Sequence, residues 1–132
     1  MALPARRIRN DRGSTEVAIA APLLLLLLMT VAQIAVWAHG HQVAETIATH
    51  GLAATRAADA SERSGQAQAE QAAEQLSGKL LTDLAVTTQR STTTAQIRVE
   101  ARVPSLVPGT SWPVTHELSA PVERIPEAGA GP

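Results

Sequence analysis

The chain of 132 residues has no cysteine, tyrosine or phenylalanine, and two tryptophans are its only residues of the Phe, Trp and Tyr class. The absence of cysteine excludes a disulfide framework and thiol chemistry. Small-molecule pockets are usually lined by aromatic side chains, so this composition disfavours an enzyme. The sequence also lacks a glycine-rich phosphate loop, a carboxylate pair and a Ser/His/Asp set with supporting context. We therefore predict no enzymatic activity, no cofactor and no small-molecule substrate.

Positive charge is scarce overall, and its distribution is uneven. The formal net charge of −1 gives no bulk basicity for binding nucleic acid. Residues 1–16 carry four basic against two acidic residues, a balance of +2, whereas residues 39–132 carry seven against ten, a balance of −3. Arginine beside an apolar span marks its cytoplasmic side. The sequence therefore predicts a cytoplasmic N-terminus and an exported C-terminal part, with topology determined by Arg6, Arg7, Arg9 and Arg12.

The apolar stretch Val17–Ala38 has 22 residues, contains no charge and includes six consecutive leucines, residues 23–28. As a helix it would be roughly 33 Å long, enough for the hydrocarbon core of a bilayer. We predict a transmembrane helix over residues 14–38. Pro22 marks either a kink or a point where the helix melts, and Trp37 is expected to anchor the outer interface.

Three kinds of processing fit this stretch. It is an uncleaved anchor, a secretory signal that releases a soluble domain after Ala38, or a pilin-type signal in which cleavage precedes a helix that is retained. The apolar run exceeds the usual 7–15 residues of a secretory signal, which argues against the second interpretation. Glu16 is the residue that simple anchoring does not require, although the headgroup region and the helix dipole would accommodate it.

Residues 39–60 have the apolar spacing of a helix and favour continuation of the span outside the membrane. Gly40 and Gly51 leave its continuity open. The inward positions of this continuation are predicted to be Val43, Ala44, Ile47, Ala48 and Leu52. His39, His41 and His50 are interpreted as exposed polar residues rather than metal ligands, because a separation of two residues places the first two on different helix faces.

A second helix is predicted over residues 66–84 after a break at 59–66, with Asp59 or Ser64 as its cap. Gly78 leaves open an earlier end, in which case residues 80–84 form a short extra turn. Its apolar side would carry alanines and leucines, namely Ala69, Ala72, Ala73, Leu76, Leu80 and Leu84. This side is expected to dock on a sheet of the same chain.

From residue 85 onward the apolar period changes to two, which is typical of half-buried strands. The alternation predicts strands over 85–89, 95–103 and 114–122, with prolines between them. The fold class is therefore α+β: a transmembrane helix extended into a long helix, then an amphipathic helix packed on an antiparallel sheet of about three strands. The expected domains are a leader (1–13), the span (14–38), an exported domain (39–125) and a disordered tail (126–132).

The run Asp11–Val17, DRGSTEV, followed by Pro22 and the leucines, resembles the start of TadE-like proteins of the actinobacterial type. In that family a basic leader ends in glycine, a glutamate follows, and proline lies six residues beyond it, as Pro22 does from Glu16. The family usually places the glutamate five residues after the glycine, whereas Glu16 lies three after Gly13.

This resemblance implies a minor pilin or pseudopilin of the tight-adherence pilus system. It implies cleavage by a prepilin peptidase between Gly13 and Ser14, and a role for Glu16 and Pro22 in assembly or register. The implied partners are the lipid bilayer, other pilin-like subunits and the Tad assembly machinery. The alternatives are a plain single-pass membrane protein with a small extracellular interaction domain, or a domain secreted after Ala38.

Overall fold

Helix α1 runs without interruption from Arg7 to Arg56, which is 50 residues or about 75 Å. It belongs to a computed structural model that describes residues 7–124. Gly40 and Gly51 both lie inside α1, so the helix that begins in the apolar stretch continues through both glycines. The predicted inward positions 43, 44, 47, 48 and 52 are all buried, which confirms the helical spacing. The first six residues of the expected leader and the expected tail lie outside the described residues.

Helix α2 spans Glu62–Leu76, and its first turn is fixed by a capping box. The Ser61 side chain accepts a hydrogen bond from the Ser64 backbone at 3.2 Å, and the Ser64 hydroxyl accepts one from the Ser61 backbone at 3.0 Å. The cap residue is therefore Ser61 rather than Asp59 or Ser64, although Ser64 completes the box. The predicted apolar positions Ala69, Ala72 and Ala73 are buried.

The second helix ends early, which is the alternative that Gly78 left open, but the predicted extra helical turn over residues 80–84 is wrong. Ser77 is its C-cap, and Gly78 follows with a φ of +50°, a left-handed conformation that glycine adopts without steric cost and that ends the helix. Leu81 then enters the core, and strand β1 begins at Thr82. Leu80 and Leu84 therefore do not extend the face of α2.

The sheet has three strands in the order β1–β2–β3, and both pairs are antiparallel. Their bounds are Thr82–Arg90, Thr94–Val103 and Trp112–Pro121. The predicted alternation is confirmed most clearly in β2, where residues 95, 97, 99, 101 and 103 are buried. The first strand is longer than predicted because it continues through an irregularity between Thr82 and Ala85.

The C-terminal half of α1 covers β2 and β3, while α2 lies beside α1 and contacts β1. The sheet thus packs on the long helix as well as on the amphipathic one that the sequence indicated. The core between these layers consists of small and branched apolar side chains, namely Val43, Ala44, Ile47, Ala48, Leu52, Ala69, Ala72, Ala73, Leu81, Ala95, Ile97, Val99, Ala101, Val103 and Val114.

Arg90 ties the end of the first strand to the C-terminus of α1. Its guanidinium donates hydrogen bonds to the carbonyl oxygens of Thr55, Ala57 and Ala58. A cation in this position satisfies carbonyl groups that have no partner within the helix and interacts favourably with the helix dipole. The Glu62 carboxylate accepts a hydrogen bond from the Arg90 backbone at 2.9 Å, so the start of α2 is held at the same point.

The two helices approach so closely at Gly51 and Gly65 that neither position has room for a side chain. A Cβ on Gly65 would lie 1.7 Å from the Thr55 Oγ1 and 2.9 Å from its Cβ. A Cβ on Gly51 would lie 2.8 Å from the Ala69 Cβ and 2.3 Å from the Ile97 Cδ1. The distance between the helices therefore depends on the absence of these methyl groups.

We expect Gly65→Ala to destabilise the fold. Overpacking costs about 1–3 kcal/mol, which exceeds the gain of up to about 1 kcal/mol from alanine's helix propensity. Thermal unfolding of the full chain in detergent, followed by tryptophan emission, should show a midpoint lowered by several degrees. Gly13→Ala is the matched control, because a Cβ there meets nothing within 4 Å. Equal midpoints for the two variants would contradict the close packing of the helices.

Candidate functional site

The N-terminal half of α1 is an apolar rod that the rest of the described chain leaves uncovered. The leucines at 23–28 are 50–62% exposed, and Val17, Ile19, Val31 and Ile34 are exposed to a similar degree. A core helix of a soluble protein would bury such residues. Within the described part of the chain, one helix, near the N-terminus, is therefore long and apolar enough to cross a membrane.

The residues singled out at the start of the span all lie on this one helix. Gly13, Ser14 and Glu16 are exposed within its early turns, and Gly13 and Glu16 are three residues apart, so they are neighbours along the helix surface. Pro22 lies inside the helix, which continues on both sides of it. Of the topology arginines, Arg12 is exposed, Arg7 and Arg9 belong to the helix backbone, and Arg6 lies outside the described residues.

The second half of α1, α2 and the three strands form one folded unit, which we call the head. Trp37 contacts this head as well as marking the end of the apolar stretch. Its indole Nε1 donates a hydrogen bond to the Pro113 carbonyl at 3.1 Å, and its ring meets His41 edge-on with centroids 4.4 Å apart. The side chain is half-buried. The structure thus places the expected interface anchor where α1 meets the start of β3. Among the side chains that the structure describes, residues 12–124, no three His, Cys, Asp or Glu are grouped to hold a metal ion.

Gln33 is the functional candidate that sequence reasoning missed. It lies within the predicted span, yet its side chain is fully buried, at 0% exposure. Its Nε2 donates a hydrogen bond to the Pro104 carbonyl at 3.1 Å, and its Oε1 accepts one from the Leu106 backbone. A sequence feature could have identified it, because Gln33 is the only amide side chain in an apolar stretch of 22 residues. Its partners come from the segment between β2 and β3, more than 70 residues later.

The outer face of the sheet is polar and hydrated. A shallow depression there is lined by Thr87, Gln89, Gln96, Arg98, Glu100 and Glu117. Arg98 and Glu100 form an ion pair at 2.7 Å with both side chains about half exposed, and Gln96 donates a hydrogen bond to Glu117. Exposed pairs of this kind contribute little to stability. We interpret this face as the solvated side of a half-buried sheet.

Comparison of the chain with protein-family models, with curated proteins and with solved structures finds no match.

We expect Gln33→Leu to loosen the segment between β2 and β3. Leucine fills a similar volume but leaves the part-buried Leu106 N–H and Pro104 carbonyl without their partner, at a cost of about 1 kcal/mol for each lost hydrogen bond. Hydrogen exchange of residues 104–111 in the full chain should accelerate by about tenfold or more. Gln42→Leu on the exposed side of α1 is the control. Unchanged exchange in the Gln33 variant would show that these hydrogen bonds do not hold the segment.

Proposed function

We propose that the chain is a TadE-like minor pilin, a structural, membrane-anchored component of a tight-adherence assembly or secretion system. The observation that carries the proposal is the division of α1. Its N-terminal half is an exposed apolar rod, and its C-terminal half is the central helix of a small α+β head. One helix thus combines a membrane anchor with the core of the folded domain, as the pilin-like plan requires.

The surface of the rod suits packing against other helices. Val17, Ala20 and Ala21 line a shallow apolar groove together with three leucines, Leu23, Leu24 and Leu27. Small residues on a membrane helix allow another helix to approach closely, and such association relies on packing rather than on the hydrophobic effect. Side-by-side packing with other pilin-like subunits would cover this groove once an assembly machine extracts the helix from lipid.

The polar residues at the start of the rod fit the same proposal. Cleavage after Gly13 would leave Ser14 as the first residue and Glu16 as the third. A carboxylate next to the hydrocarbon is costly unless it has polar partners. Assembly that supplies such partners would be favoured, and Glu16 would then contribute to subunit register or recruitment. The excess of arginine before the span favours a cytoplasmic N-terminus and a head outside the cell.

The proposed partners are those implied by the family resemblance. They are a prepilin peptidase, an assembly ATPase, inner-membrane platform proteins and other pilin-like subunits. The lipid bilayer holds the unassembled subunit. A plain single-pass protein with an extracellular interaction domain would need the bilayer but none of the assembly components.

We expect Glu16→Ala to keep the protein in the membrane but to abolish or strongly reduce its recovery with the pilus fraction of its host. The reason is that the change removes the carboxylate that directly precedes the span and leaves the apolar rod intact. Glu45→Ala is a matched control, because Glu45 is also an exposed glutamate on α1 but lies beyond the span. Membrane and pilus fractions would be compared by immunoblotting.

Normal assembly by the Glu16 variant would argue for the plain anchor. Loss of assembly in both glutamate variants would point to a general defect of α1 and would not support a specific role for Glu16.

A further inference from the structure

The loop between β2 and β3, residues 104–111, lies alongside the last residues of the apolar stretch Val17–Ala38 rather than beyond its end. The Gln33 side chain binds the Pro104 carbonyl and the Leu106 N–H, so the loop backbone is held beside residue 33 of α1. The next anchor along the helix is Trp37, which binds the Pro113 carbonyl where the loop enters β3. The head therefore reaches down to a level within the stretch of α1 that is apolar enough to span a membrane.

The length of the apolar stretch determines at what depth of a bilayer Gln33 and the loop bound to it would lie. A hydrocarbon core of about 30 Å takes roughly 20 residues of upright helix. Counted from Val17, the first residue after Glu16, this distance ends near Val36. Gln33 lies about three residues, or roughly 5 Å, inside that boundary. Tilting the helix increases the number of residues needed, which moves the boundary further beyond Gln33.

The chemistry of the loop fits this position. Residues 104–111, PSLVPGTS, carry no charge, and the Leu106 side chain is 43% exposed. The hydroxyl groups of Ser105 and Thr110 both lie 2.7 Å from the Val107 carbonyl oxygen and 2.6 Å from each other. The prolines at 104 and 108 have no N–H to satisfy. Polar groups that are paired inside the loop reduce the cost of leaving water.

We propose that this loop is a second membrane contact, in which Leu106 inserts into the interface of the leaflet nearest the head. Arg102 lies at the base of the loop, where it donates a hydrogen bond to the Ser111 Oγ at 3.0 Å. This position brings its guanidinium to the level of the lipid phosphates. The partner is the lipid surface itself. The proposal rests on the anchoring part of the proposed function and is independent of pilus assembly.

The absence of cysteine makes single spin labels straightforward to place in the full chain. The variants are Leu106→Cys in the loop, Leu26→Cys in the rod and Leu76→Cys at the end of α2. Leu76 is the matched control, because it is also a leucine and is exposed to a similar degree, at 47%. It lines a groove with His39 and Val43, which lie beyond the end of the hydrocarbon core near Val36. Each labelled protein is reconstituted in vesicles of phosphatidylcholine with a minority of phosphatidylglycerol. Collision of the label with oxygen and with a water-soluble nickel complex is then measured.

We expect an oxygen-to-nickel collision ratio at Leu106 that is several-fold higher than at Leu76 and lower than at Leu26, which is near the middle of the span. Ratios at Leu106 and Leu76 that are equally water-like, with Leu26 in lipid, would overturn the loop contact and leave the anchor intact. A water-like ratio at Leu26 would overturn the anchor as well. Shielding of Leu106 that disappears when the lipid-to-protein ratio is raised would assign the contact to a second copy and would also overturn the proposal.

Discussion

The structure depends on how closely the second half of α1 packs against the sheet and α2. Gly40 has no room for a side chain, because a Cβ there would lie 2.3 Å from the Val103 Cγ1. Further along, Gly51 of α1 faces Gly65 of α2, and these two positions bring the helices together with the same lack of space. Small residues at these contacts let a core made of alanine and branched aliphatic side chains close without the large aromatic rings that the chain lacks.

This packing links the head directly to the apolar rod. Because α1 is continuous from Arg7 to Arg56, the helix that is apolar enough to cross a membrane is also the one that β2 and β3 cover. Gln33 and Trp37 extend the contact toward the rod through the carbonyl groups of Pro104 and Pro113. The height of the head above a bilayer then follows from helix geometry rather than from a flexible linker.

Much of this fold was predictable from local pattern, and the parts that were not depend on contacts distant in sequence. Alternation in β2 and the helical spacing of residues 43–52 were read correctly, because one buried face imposes its period on the sequence. Gly78 indicated that α2 could end early, but the leucines beyond it continue the apolar spacing and suggested a further helical turn. Leu81 instead packs beside Gly40, and β1 begins at Thr82. Gln33 was overlooked because its partners lie in a loop that only the tertiary fold brings to it. Gly13, Ser14 and Glu16 lie on an exposed part of α1, so the tertiary contacts of the chain give no information about their proposed roles.

The most direct test of the pilin assignment is the N-terminal mass of the protein purified from membranes of its native host. Our account predicts a chain that begins at Ser14 and a leader that is retained in Gly13→Val. That substitution is compatible with the fold, because a Cβ at Gly13 meets no atom within 4 Å. A natural chain that keeps its leader would contradict pilin-type processing and favour an uncleaved anchor.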